Sequence, residues 1–507
     1  MSGPRGFLGV DVGTTGVRAG AVDEHGRVLA EASESWRHDA PRAGWAEADP
    51  DAWWAAVARA CRSVVERVGA DRIEAVAVVG QAPTAVLVDA SCRPLRPAIL
   101  WLDVRASEEA HALDAALGPG RAEAIGGNRM HPYFVGPKLA WLRAHEPQAL
   151  DQAALVLQSH AFVAMRLTGK AACDASTAML CAPLFDPRSG SWSEEAARAA
   201  GVPVRLLPPL ARAQDVLGGV TGDASTATGL REGTPVVAGG GDFAACALGA
   251  GVVEEGDACL MLGTAGNLLL PVREPRFDAR LLNSHHVGCD RWLTLAGTLC
   301  GAALEWFRGA FAPGIPWETL ESEAAAVPVG ADGVVALPYL QGERTPIWDE
   351  RARGVFAGLS LRHGRGHLYR ALLESIALSF RHSLSVTEAA GLRLREVVAT
   401  NGAGKSALLR QTLADALGTP LVWSPQSGGT LAGAAVLAGL GTSAIGDAAI
   451  GRRWLHDAGA LRFGGGAPNQ QLMRHVPDPG SHARLEEVFA RRQALFAAEI
   501  AARGLPR

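Results

Sequence analysis

The first thirty residues carry short apolar runs separated by turn residues, the pattern of a β-meander. Phe7 to Val12 and Val17 to Val22 are joined by a Gly-Thr turn, and Asp23-Glu24-His25-Gly26 turns the chain into Arg27 to Ala32. The pattern then changes. Trp53 to Val68 places apolar residues at helical spacing, and Ile73 to Gly80 is an apolar run of strand length, so an α/β layered domain is predicted. Pro137 to His145 reads as another helix, and Val236-Val237-Ala238 as a strand that ends in Gly239-Gly240-Gly241-Asp242. Later, Leu368, Leu372, Ile376, Phe380 and Leu384 fall four apart and predict one long helix with a buried stripe. Glu396 to Thr400 then predicts a strand, Asn401 to Ser406 a glycine loop, and Ala407 to Leu417 a helix. Leu485, Val488, Phe489, Phe496 and Ile500 predict a last amphipathic helix packed on the second lobe.

A chain of 507 residues exceeds what one hydrophobic core usually supports, and two lobes are expected, 1–246 and 247–507, with the boundary just after Asp242. The net charge of −4 supplies no basic field for nucleic acid or an anionic membrane, which leaves a small molecule as the expected partner. The eight cysteines are scattered without metal-ligand spacing, and no run approaches the ~18 apolar residues of a membrane helix. With no leader-like segment ahead of Phe7, a cytoplasmic location is expected. A homodimer is compatible with the sequence and not indicated by it.

Two Gly-Thr hairpins lie half a chain apart, Asp11-Val12-Gly13-Thr14-Thr15-Gly16 and Leu262-Gly263-Thr264-Ala265-Gly266-Asn267, each after a short apolar strand. Glycine lets such a turn converge successive N–H groups on an anion, and threonine adds a hydroxyl donor, so Thr14, Thr15, Gly263 and Thr264 are candidate phosphate contacts. Asn401-Gly402-Ala403-Gly404-Lys405-Ser406 fails the strict P-loop spacing, because Ala399 stands where a glycine is required. Its strand, glycine loop and helix still suit Gly402, Ala403 and Gly404 to a nucleotide. Phosphoryl transfer from ATP needs aligned phosphates, Mg²⁺ and a base for the attacking hydroxyl. Asp242 is the candidate base, with a helix N-cap as the competing role, and Asp11 the candidate Mg²⁺ ligand, with an Asx turn as its alternative. Gln81, Trp101, Asp103 and Arg105 follow strand-like runs and have the donors and aromatic face that sugars require; a core tryptophan beside an ion pair would look the same. His285-His286 lacks partners at metal spacing.

At these residues the chain resembles the FGGY family of carbohydrate kinases, its xylulokinase-like branch in particular. The most specific match is Gly354-Val355-Phe356-Ala357-Gly358-Leu359, continued through His367-Leu368 and Ala371-Leu372-Leu373-Glu374. Leu337-Pro338-Tyr339-Leu340, Gly342-Glu343-Arg344-Thr345-Pro346, Gly44-Trp45-Ala46-Glu47, Asp49-Pro50 and Lys138-Leu139-Ala140-Trp141-Leu142 also fit. The resemblance implies an α/β fold of two actin-like ATPase lobes of the ribonuclease H type around a central cleft. It further implies Asp242 as catalytic aspartate, Thr14 and Thr264 on the phosphate hairpins, Gly402 to Gly404 at the adenosine, and Gln81, Ala82, Trp101, Asp103 and Arg105 on the sugar side. The chain departs from the family pattern in three places: Ala82-Pro83 stand where Met-His is usual, Ser159-His160 replace a Lys-Asp pair, and Val135 replaces serine, threonine or proline. The expected activity is ATP-dependent phosphorylation of a primary hydroxyl, on D-xylulose or a related pentulose. A tetritol, glycerol or a hexulose is the alternative acceptor, and a sugar-responsive actin-like ATPase module the alternative of a different class.

Overall fold

A computed structural model describes residues 5–423, 429–456 and 472–503. The chain divides into two compact units. The described residues of the first fall within Met1–Glu254, Pro271–Thr294 and Gln426–Gln470, and those of the second within Glu255–Leu270, Leu295–Pro425 and Gln471–Arg507.

The first unit is built on a six-stranded sheet of β1 (Gly6–Val12), β2 (Gly16–Asp23), β3 (Val28–Ser35), β4 (Ile73–Gly80), β5 (Val216–Gly219) and β6 (Pro235–Gly241), in the order β5-β6-β4-β1-β2-β3. The meander pairs antiparallel as its short turns predict, while β1, β4 and β6 run parallel at the centre. Those central strands are buried on both faces, which is why β4 reads as a continuous apolar run. Helix Pro50–Val68 covers β2 and β3. Asp49 caps it by accepting from Asp51 N–H, Pro50 occupies its first turn, and Trp53, Val57, Cys61, Val64 and Val68 form its buried stripe. The opposite face of β1 and β4 receives helix Gly429–Gly441, which also lies along helix Asp242–Gly249. That contact is backbone against backbone, since a Cβ on Gly433 would stand 1.8 Å from Ala245 O.

The second unit holds β7 (Asp257–Leu262), β8 (Ala265–Val272), β9 (Trp292–Leu299), β10 (Glu396–Thr400), β11 (Leu421–Trp423) and β12 (Met473–His475), adjacent in the order β12-β11-β10-β7-β8-β9. The pairings around β7 repeat those around β1: β7 pairs antiparallel with β8 and parallel with β10, and the outermost β12 is antiparallel to β11 as β5 is to β6. The predicted long helix spans Arg365–Ala389, and the last helix, Pro479–Ala502, packs on the second unit through Leu485 and Val488, with Phe496 against Tyr339. Arg492 on that helix is buried and donates to Tyr339 Oη at 2.6 Å, a polar core contact that the apolar stripe does not disclose.

Candidate functional site

In the first unit the strand ends bring Asp11 and Asp242 into electrostatic contact. Asp11 closes β1 beside the hairpin turn, where Gly13 N–H donates to Gly16 O at 2.9 Å. The antiparallel register sets Arg18 opposite Asp11, and its Nη2 donates to Asp11 Oδ2 at 2.8 Å. Asp11 Oδ1 is buried and accepts no hydrogen bond from the protein. Asp242 follows β6 and opens helix Asp242–Gly249, its Oδ1 accepting from Phe243 N–H at 2.7 Å. Burial, and after it the charge of Asp11, push the Asp242 carboxyl up to about 7, against the opposing pull of Phe243 N–H and Arg18. A carboxylate that holds its proton until neutrality is matched to general-base work. Arg18 was not singled out from the sequence. The signal that finds it is the hairpin itself, because pairing Val12 with Val17 places Arg18 across from Asp11.

The residues predicted for the sugar divide into two groups. Gln81 is buried beside the same hairpin, its N–H on Val12 O at 2.9 Å and its Nε2 on Gly13 O at 3.1 Å, with Oε1 accepting no hydrogen bond. Trp101 Nε1 donates to Thr14 Oγ1 at 2.9 Å, which ties the indole to the first hairpin turn. Thr15 is exposed at the tip, and Ala82 is buried with its carbonyl accepting from Tyr133 Oη at 3.2 Å. Asp103 and Arg105 sit differently. Asp103 accepts from Arg105 at 2.7 Å and from Ala46 N–H at 2.6 Å, while Arg105 also reaches Glu47 at 2.7 Å and stacks 3.6 Å over Trp45. Their side chains are 0% and 1% exposed, and this network is where the structure places the two residues expected to touch the sugar. Lys138 shares that layer, donating to Leu100 O at 2.8 Å and Tyr133 O at 2.9 Å, and its burial lowers the ammonium to about 7.

In the second unit the other hairpin is one residue shorter, Leu262 pairing with Gly266 where Val12 pairs with Val17. Gly263 N–H donates to Ala265 O at 3.1 Å, Thr264 is exposed, and the start of helix Gly301–Phe311 holds the turn through Gly301 N–H on Gly263 O at 2.9 Å. The predicted glycine loop is a 3₁₀ turn, Gly402–Lys405, entered through Asn401 at φ 69°. Gly402 is exposed and Ala403 half-buried. Gly404 is buried, and a Cβ there would lie 2.8 Å from Trp423 Nε1. Ser406 caps helix Ala407–Leu417, and Lys405 is exposed.

Among the described residues no group of three or more His, Cys, Asp or Glu side chains forms a metal cage. His286 spends both ring nitrogens on the carbonyls of Val252 and Val287, and His285 lies against Trp292 with ring centroids 3.8 Å apart and planes tilted by 36°. Mg²⁺ bound with a nucleotide needs only one or two carboxylates, the rest of its shell being phosphate and water. The unsatisfied Asp11 Oδ1 fits that demand. No described helix is long and apolar enough to cross a membrane.

Comparison with known proteins follows the same lines. A model of the N-terminal domain of the FGGY family of carbohydrate kinases matches residues 7–249, and one of the C-terminal domain matches residues 262–442. A xylulose kinase of Escherichia coli is 35% identical over 421 residues, 82% of this chain and 85% of that protein. A xylulose kinase of Bacillus subtilis is 32% identical over 440 residues, 86% of this chain and 88% of that protein. The crystal structure of xylulose kinase from Rhodospirillum rubrum superposes with a TM-score of 0.87 at 32% identity, covering 97% of this chain and 99% of that one. The fold is therefore of the two-domain actin-like ATPase class, as the repeated sheet order also indicates.

Proposed function

The chain belongs to the FGGY family of carbohydrate kinases and is a sugar phosphotransferase, and on that premise we propose that it transfers the terminal phosphoryl group of ATP to a primary hydroxyl of D-xylulose or a related pentulose. The observation that carries the mechanism is the Asp242 carboxyl, raised to about 7 next to Asp11 and Arg18 at the parallel strand ends. Asp242 takes the proton of the acceptor hydroxyl as the oxygen attacks phosphorus. Gln81 Oε1 is a fixed acceptor for a sugar hydroxyl, Trp101 offers a face to C–H groups, and Ala82 lines the same segment. Asp103 and Arg105 shape this surface from behind. The functional division falls near residue 246: acceptor groups precede it, and Gly263, Thr264 and the Gly402, Ala403, Gly404 turn follow it on the nucleotide side. Thr14 and Thr15 complete the phosphate contacts from the first hairpin. Asp11 would hold Mg²⁺, which when bound neutralises charge on the phosphates.

A second reading keeps this machinery and changes the acceptor to a tetritol, glycerol or a hexulose. The observation favouring it is the apolar pair Ala82-Pro83, which offers no side-chain hydrogen bond next to Gln81. ADP release with Mg²⁺ and ATP, measured across ketopentoses, polyols, hexuloses and aldonates, separates the two. Largest stimulation by D-xylulose or another ketopentose supports the first reading, and largest stimulation by a polyol, a hexulose or an aldonate replaces it.

A further inference from the structure

Just ahead of Asp242 the ladder of β6 is broken. The register to β4 shifts between Val237 and Gly240, and Gly239 stands at φ 74° with its α-carbon so close to β4 that a Cβ would lie 1.7 Å from Val78 O. A bulge of this kind re-aims the side chain that follows it, and pairing to β4 resumes in the shifted register at Gly240 and Gly241. A second element adds its own hold at this point. Gly241 N–H donates to Ser176 Oγ at 3.1 Å, and the Ser176 hydroxyl donates in turn to Asp174 Oδ2. Gly240 leaves room for this approach, since a Cβ on it would stand 3.0 Å from the same Asp174 oxygen.

Asp174 is itself fixed. Its Oδ2 accepts from Ser176 N–H at 2.8 Å and its Oδ1 from Thr177 Oγ1 at 2.5 Å, with His160 Nε2 3.5 Å away. Asp174 and Ser176 are 1% and 0% exposed. Capping the four-residue helix Ala175–Ala178 accounts for the Asp174 contact to Ser176 N–H but not for the Ser176 hydroxyl reaching Gly241 across 65 residues.

We propose that Ser176 and Asp174 are positioning residues for Asp242: the hydroxyl held by Asp174 anchors the Gly241 peptide and so sets the direction of the carboxylate that follows it. The proposal rests on Asp242 being the base. An aim lost by a fraction of an ångström is felt in the chemical step and not in nucleotide binding.

The test compares the full-length parent with Ser176→Ala, Ser176→Thr and Asp242→Asn in steady-state kinetics, using Mg²⁺, ATP and D-xylulose, or the acceptor of the panel that turns over fastest. Ser176→Ala is expected to lose about tenfold or more in kcat with the KM for ATP and the melting temperature near parental values, and Ser176→Thr, which keeps the hydroxyl, to recover most of the loss. Parental kcat in Ser176→Ala overturns the proposal, as does a loss that tracks the unfolded fraction or is shared in full by Ser176→Thr. Where Ser176→Ala is not recovered folded, Asp174→Asn takes its place with the same expected split and the same overturning results. The Asp242→Asn arm separates the two failures. Retained activity there refutes the base assignment, whereas its inactivity beside a parental Ser176→Ala refutes only the positioning.

Discussion

At Asp242 one carboxyl answers to opposed influences, and the balance fixes both catalysis and stability. Burial and Asp11 hold the proton on until about 7, so kcat/KM should rise with pH through that region and level off above it. A flat profile between pH 5 and 8 would contradict a titrating base. The stability consequence has a definite sign. Because the folded value lies above the ordinary 3.8, the folded chain binds the proton more tightly, and the associated stability is present at low pH and lost as pH rises through about 7. Asp242→Asn should therefore melt higher than the parent at pH 8 and close to it at pH 4, while losing activity. Thr264 belongs to the same scale: exposed at its turn, it should when changed to valine weaken ATP affinity in calorimetry more than sugar affinity. Residues were legible in the sequence where glycine spacing marks them, as at Asp11, Asp242 and both hairpins. A Trp-x-Asp-x-Arg pattern, in contrast, cannot say whether Asp103 faces a ligand or the arginine two residues on, and three-dimensional packing chose the arginine.

Among elements, the helices with one apolar stripe and the strands with clear ends were legible: Ile73–Gly80, Glu396–Thr400 and Ala407–Leu417 fall at the predicted bounds, and the long helix extends its stripe by a few residues at each end. Helix Gly429–Gly441 was not. It is apolar and small all round, so no stripe announces it, and nothing local in Gly-Thr-Leu-Ala-Gly-Ala-Ala says that it belongs with strands four hundred residues earlier. Its glycines explain the placement. Gly433 against Ala245 O and Gly249 against Gly429 O, where Cβ atoms would stand 1.8 and 1.9 Å away, let it close directly on the helix that Asp242 begins. Gly433→Ala should cost about 3 kcal/mol in chemical denaturation and lower kcat, because the helix that opens with Asp242 must move to admit the methyl group. Unchanged stability would mean that the two helices do not approach this closely.

For the whole molecule, the telling regularity is that one sheet order occurs twice, each time with a Gly-Thr turn joining its two central antiparallel strands. The paired hairpins announced this repeat before any tertiary contact was known, since a turn of that composition has the same backbone task in both places. The interleaving of the chain between its two units was hidden, because compactness depends on contacts far apart in sequence. The central claim is that this molecule phosphorylates a sugar with Asp242 as base, and product analysis tests it most directly. Parent and Asp242→Asn would be incubated with Mg²⁺, ATP and D-xylulose and the sugar examined by phosphorus and proton NMR. A new phosphate ester on the primary hydroxyl, formed by the parent and absent with the variant, is predicted. Equal product from both proteins, or ATP hydrolysed by the parent with no phosphorylated sugar, would contradict the account.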